Sequence, residues 1–498
     1  MFTLLFRSGD YLPPLPPIVD PEKSPSAASD ELLRSPMATT VRAALSPGGW
    51  VIVLLAGLST LFVMARAGTS RAGLDMWVFA RPHHEMYLPN VESWNANQDP
   101  DLNLYLLSLP ALERRMSSGF LSDTPVADLI EADVRVASRA FTGPLKDVGF
   151  LDLTDRIRES GIDEEINPPS FTPWTSRGRI FGLPHDVHPV MLAYRADLVE
   201  AAGIDVTAIE TWDDFIRAMS PLMADEDGDG RPDRYLLNVW ETQIDTIEAF
   251  ILQAGGGYFD EQERVAINSE INAKVIATIA TWITGPGRIA VDAQEFTASG
   301  NRLKLEGFVV ASIMPDWLGG VWKHDMGDLS GKVKLMPLPA WEPGGRRTTV
   351  WGGTMLGIAR STQDPEAAWE IAKHLYLSED LARQLYESNG IISPIRRLWS
   401  RDFYDVPDDF FQGQAPGRMY IELAPSVPRR TSSPFNQIAK ERVRDALTRL
   451  REYAEKEQLF TVEALLPEAR SQLEAAHADI QLRVDRNMFL KDGAEGQR

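Results

Sequence analysis

The chain has 498 residues, more than one ordinary domain needs, and 44% of them are hydrophobic, enough for real cores. It carries 50 Lys and Arg against 71 Asp and Glu, a net charge of -21. That excludes the basic surface a phosphate backbone requires, so no nucleic-acid partner is expected. The absence of cysteine rules out disulfides, thiolate metal sites, a Cys nucleophile and a lipid-modified Cys.

Residues 1–47 read as a disordered or mis-called N-terminal extension; with a true start at Met37, the Pro-rich residues 1–36 (YLPPLPPIVDP) would lie upstream of it. Gly48 to Ala65 is an uncharged run of 18 residues followed by the small-x-small pattern Ala65-Arg66-Ala67. Residues 48–67 therefore read as a cleaved signal peptide or as a membrane anchor. Either way, residues 68–498 lie outside the cytoplasm, in a periplasm or its equivalent.

Leu74–Ala80, Asn103–Leu109 and Val126–Ala132 read as buried strands, with a helix starting at Ala111 between the last two. This order implies a parallel sheet with helices on its faces. Thr211-Trp212-Asp213-Asp214 is a helix-starting capping box. Phe308–Met314, Lys332–Met336 and Gly353–Ala359 read as further strands. Asp364-Pro365 starts another helix, and the long stretch from Asn436 to Val484 reads as helical.

Asp225 to Asp233, DEDGDGRPD, has the spacing of a calcium loop. Asp225, Asp227 and Asp229 stand at positions 1, 3 and 5, Arg231 offers its carbonyl at 7, and Asp233 stands at 9. Leu236 replaces the bidentate Glu at position 12, so the loop is either a structural calcium site or an acidic turn. Two His-bearing stretches, Arg81-Pro82-His83-His84-Glu85 and His185-Asp186-Val187-His188, lie after strands. They could hold zinc or iron together, or be polar loop residues at the edge where α/β proteins bind ligands.

Tryptophan beside a polar group or a glycine pair recurs at Trp240-Glu241, Asp316-Trp317 and Trp351-Gly352-Gly353. A ring that stacks on a pyranose and a carboxylate that accepts hydroxyls would make a sugar site. The glycines would let backbone N–H groups approach the ligand. The carboxylates Asp186, Glu241 and Asp316 are also candidates for a glycosidase or lyase, since glycoside hydrolysis needs two.

Several short stretches then fall in a familiar order. They are Phe181-Gly182-Leu183-Pro184-His185-Asp186, Tyr194-Arg195-Ala196-Asp197-Leu198, Ala201-Ala202-Gly203-Ile204, and Gln253-Ala254-Gly255-Gly256. Val265-Ala266-Ile267-Asn268-Ser269, Gly353-Thr354-Met355-Leu356-Gly357-Ile358 and Pro365-Glu366-Ala367-Ala368-Trp369 follow. Across roughly residues 74–400 the chain resembles the extracellular solute-binding proteins of family 1, the maltose-binding-protein-like group of ABC importers.

The resemblance implies an α/β, two-lobed periplasmic-binding-protein fold of the type II, Venus-flytrap kind, behind an N-terminal hydrophobic signal or anchor helix. Lobe 1 would be 74–184 plus 343–398, and lobe 2 would be 190–340 plus 400–490. The hinge would lie near Asp186 to Pro189. A mono- or oligosaccharide would sit between the lobes, contacted by Arg81, His83, Glu85, Glu131, Asp186, His188, Trp240, Asp316, Trp317, Trp351, Gly352 and Gly353. A monomer that hands its sugar to membrane permease subunits is implied, with no catalysis and no cofactor beyond structural calcium. A carbohydrate-active enzyme and a membrane-anchored sensor ectodomain are the alternatives.

Overall fold

In the computed structural model, residues 47–67, 73–122, 124–225, 228, 230 and 232–488 are described. The extension 1–46 and the loop residues Asp227, Asp229 and Arg231 lie outside them. By compactness the chain divides into Met1–Ser70 and Arg71–Arg498. In the first unit the uncharged run forms a helix, Pro47–Ala67, whose apolar residues from Trp50 to Leu58 are exposed. Side-chain burial in it is described only for residues 50–60. Among the described residues, no helix is long and apolar enough to cross a membrane.

The second unit is built on two five-stranded sheets. The first contains β1 (Leu74–Val78), β2 (Leu102–Leu106), β3 (Leu129–Asp133), β4 (Leu183–Pro184) and, from much later in the chain, β10 (Thr354–Ile358). The second contains β5 (Val190–Arg195), β6 (Tyr235–Asn238), β7 (Ala290–Val291), β8 (Val309–Pro315) and β9 (Val333–Pro337). The orders are β2-β1-β3-β10-β4 and β9-β5-β8-β6-β7. β1, β2 and β3 are parallel, as are β8, β6 and β7. β10 runs against β3 and β4, and β5 runs against β8.

The inner strands are mostly apolar because both faces of each sheet are packed, as in Val309–Pro315, which is buried throughout. On one face of the first sheet, Met76, Val78 and Leu356 pack with the helices Arg81–Asn97, Pro365–Tyr376 and Glu379–Asn389. On the other face, Ile130, Ala132 and Met355 pack with Phe141, Phe150 and Phe181. The second sheet has its larger core with the helices Trp212–Met219, Ile244–Gln253 and Glu270–Ile283. Its other face meets the helix Asp316–Asp325 and the segment around Phe403 to Val427.

Local signals account for several element ends. The Thr211 hydroxyl accepts from the Asp214 N–H while the Asp214 carboxylate accepts from the Thr211 N–H, so the capping box forms. One expectation is corrected and another is refined. Arg81 to Glu85 is not a loop: it is the first turn of the helix Arg81–Asn97, entered through Pro82, whose missing N–H costs nothing at that position. The stretch 436–484 is two helices, Asn436–Glu457 and Val462–Arg486, packed as a hairpin. Gln458 takes a left-handed conformation that ends the first, and the Thr461 side chain caps the second.

Candidate functional site

The strand directions bring one edge of each sheet to the same place. Asp133, at the C-terminal end of β3, pairs with Thr354 at the start of β10, and Pro184 of β4 pairs with Met355. In the second sheet Val190, at the start of β5, pairs with Pro315 at the end of β8. The chain crosses between the sheets through residues 185–189 and again through 341–353, and the two crossings touch at a Pro189–Val350 bridge. The C-terminal edges of parallel strands, where α/β proteins bind ligands, thus border the hinge.

A buried ionic network holds this hinge. His188, with φ +53°, places Nδ1 2.7 Å from Asp316 Oδ1 and Nε2 2.9 Å from Asp186 Oδ2. Asp316 also accepts the backbone N–H of Trp317 and, through Oδ2, that of Ile392. Asp186 Oδ2 accepts the N–H of Thr354 and contacts His185 Nδ1 at 3.2 Å. Burial alone would neutralise His188, yet the two carboxylates raise it to about 10, so it is an imidazolium at neutral pH. Burial pushes the Asp186 carboxyl up, and the flanking rings more than offset this, holding it well below the usual range.

Aromatic side chains stand next to the network. The Trp317 indole N–H donates to the Trp351 carbonyl at 2.9 Å, and the two rings meet edge to face at 5.8 Å. Phe296 stacks on Trp317, with centroids 6.0 Å apart and planes 4° apart, and is 63% exposed. Its φ is +60°, an outlier for a bulky residue and the kind of backbone strain that gathers at ligand sites. Gly352 and Gly353, at φ +118° and +121°, are packing requirements. A Cβ on Gly352 would lie 2.6 Å from His188 Cδ2 and 2.8 Å from Trp317 Nε1. Arg430 donates to the Gly352 carbonyl and faces Glu248, itself paired with Lys440 at 2.9 Å.

The structure therefore gathers Asp186, His188, Asp316, Trp317, Trp351, Gly352 and Gly353 around one hinge. Arg81 and Glu85 lie on the exposed first turn of the helix Arg81–Asn97, 4.0 Å from one another. His83 and Glu131 form a separate buried contact at 3.0 Å. Trp240 packs on the second sheet's core with the Arg288 guanidinium 5.0 Å from its ring. Glu241 is held by Arg451 at 2.6 Å. In the Asp-rich loop, Asp225 accepts the backbone N–H groups of Gly228 and Gly230 at 2.7 and 2.8 Å, while Leu236 is buried in β6. Phe296 and Arg430 were missed because nothing local in their sequence marks them; the chain path alone brings them to the hinge.

Two α/β lobes joined at a pinned hinge, with aromatic rings at the facing edges, define a two-lobed binding protein. The sequence model of the bacterial extracellular solute-binding protein family matches residues 92–381, and the chain belongs to that family. It is 24% identical over 416 residues to an arabinooligosaccharide-binding protein of Halalkalibacterium halodurans, covering 81% of this chain and 89% of that one. It is 26% identical over 359 residues to an arabinooligosaccharide-binding protein of Bacillus subtilis, covering 70% and 78%. Among solved structures, the sugar-binding protein MalE of Xanthomonas citri superposes with a TM-score of 0.66 at 15% identity, over 83% of this chain and 99% of that one.

Proposed function

We propose that this protein captures an oligosaccharide between its two lobes outside the cytoplasm and delivers it intact to the permease of an ABC importer. The observation that carries the sugar reading is Phe296, a strained and exposed ring stacked on Trp317 at the hinge edge. A flat apolar face on a rigid support suits the C–H face of a sugar ring. The arabinooligosaccharide-binding relatives support the same ligand class. Closure follows from differential affinity: a ligand that contacts both lobes favours the state in which both reach it. The uncharged run in the helix Pro47–Ala67 supports export as a signal segment.

A binding role fits the candidate carboxylates better than catalysis does. Asp186 and Asp316 are engaged by His188 and backbone donors, and Glu241 is bound by Arg451. Calcium in the Asp225 loop is a brace in this reading, away from the ligand.

The test is a thermal-shift and calorimetric screen against arabino-, malto- and galacto-oligosaccharides, with recovery of each sugar after incubation. A ligand at 100 times its Kd adds about 2.7 kcal/mol and raises Tm by several degrees. A shift with one class, recovered unchanged, is expected. A shift accompanied by shortened sugars would replace transport with hydrolysis, and no shift in the folded protein would remove the carbohydrate assignment.

A further inference from the structure

Behind the hinge, in the first lobe, lies a second polar cluster that the sugar reading does not use. His83 comes from the first turn of the helix Arg81–Asn97, Glu131 from β3, and His185 from the start of the first crossing. One ligand atom from each lies within 4.8 Å of the other two. His83 Nδ1 is 3.0 Å from Glu131 Oε1, and the His83 and His185 rings lie 4.7 Å apart. Glu131 is fully buried, and the His185 side chain is 1% exposed.

The surroundings hold these groups as an outer shell holds metal ligands. The Tyr87 hydroxyl donates to Glu131 Oε2 at 2.5 Å and the Tyr376 hydroxyl to the same atom at 3.2 Å, which fixes the carboxylate plane and leaves Oε1 toward His83. His185 Nδ1 faces Asp186 Oδ2, so its proton belongs there and the lone pair belongs on Nε2. That Nε2 is buried and has no hydrogen-bond partner among the described residues. A buried acceptor without a donor costs about 1–3 kcal/mol. A carboxylate-oriented imidazole with its other nitrogen free is the arrangement metal sites use.

We propose that His83, Glu131 and His185 bind a divalent transition-metal ion of the zinc class. Two neutral imidazoles and one carboxylate are a zinc ligand set that leaves a coordination position open. Charge favours it as well: a dication beside Glu131 and Asp186 is neutralised, while His188 and Asp316 neutralise each other across the hinge. The alternative occupant is a proton on His83 paired with Glu131. Because Asp186 contacts both His185 and His188, an ion here stiffens the attachment of the hinge to the first lobe.

The experiment is calorimetric titration of the chelator-treated full chain with Zn2+, with millimolar Ca2+ present to occupy the Asp-rich loop. Absorption of the Co2+ form serves as the coordination readout. One ion per chain is expected, with the intense visible bands of a low-coordinate Co2+ site. Glu131→Gln and His185→Asn should each weaken binding by about 100-fold or more, and Tyr87→Phe by about 10-fold. The exposed His324→Ala should leave binding unchanged. Should the buried variants fail to fold, His83→Asn, at the outer edge of the cluster, carries the same expected loss. Absence of binding by the folded wild-type chain, or binding that survives these ligand substitutions, overturns the site.

Discussion

Replacing His188 by Asn removes the cation between Asp186 and Asp316 while keeping a residue that tolerates the left-handed backbone at φ +53°. Two charge-assisted contacts, at 2.7 and 2.9 Å, are lost, and two buried carboxylates are left facing a neutral side chain. The proton affinity of His188 rises from 6.5 in the unfolded chain to about 10 in the fold. At about 1.4 kcal/mol per factor of ten, this places the full interaction near 5 kcal/mol. The net loss is expected at about 3–5 kcal/mol, because removing the cation leaves buried carboxylate charge uncompensated.

The pH dependence has a defined sign. The folded state holds the His188 proton more tightly than the unfolded state, so the contribution is complete below about pH 6.5 and is lost as pH rises through about 10. Urea denaturation of both proteins at pH 7 and pH 9 should therefore show the gap narrowing by roughly 2.5 kcal/mol. A gap below about 1 kcal/mol at pH 7, or one that stays constant to pH 9, would show that the hinge does not rest on a buried imidazolium.

Three further outcomes test other parts of the architecture. Phe296→Ala should weaken oligosaccharide binding by roughly 5- to 30-fold in calorimetry while moving stability by no more than about 0.5 kcal/mol, since the ring is exposed; an unchanged Kd would remove Phe296 from the ligand face. Gly352→Ala should lower stability by about 1–3 kcal/mol and show as a reduced Tm, because its Cβ meets His188 and Trp317 at 2.6 and 2.8 Å in a left-handed backbone. Millimolar calcium should raise the Tm of the wild-type chain and leave Asp225→Ala unmoved; an equal response from both would place calcium elsewhere.

Val309–Pro315 was readable as a strand because it is buried along its whole length and almost wholly apolar, whereas Tyr235–Asn238 and Ala290–Val291 are short and were not read. The capping box at Thr211 and the Asp364-Pro365 start were readable because their chemistry is complete within four residues. The helix at Arg81 was obscured although Pro82 marks its first turn, because His83, His84 and Glu85 look like a polar loop when their burial is unknown. The break at Gln458 is weakly marked, since no glycine or proline lies there, the apolar pattern continues into the next helix, and the capping Thr461 is its one local sign.

The site divides the same way. Asp186, His188 and Asp316 could be named singly from their places after strands, and Trp351 from the glycine pair beside it. That His188 bridges Asp186 to a residue 128 positions away could not. The pairing arises because β5 runs antiparallel to β8, which sets Val190 against Pro315 and so carries His188 to the residue following β8. The same register makes Gly352 necessary: its φ of +118° and the close His188 ring leave no room for a side chain. Packing against His188 and Trp317, rather than exposure of backbone to a ligand, is what requires glycine at position 352.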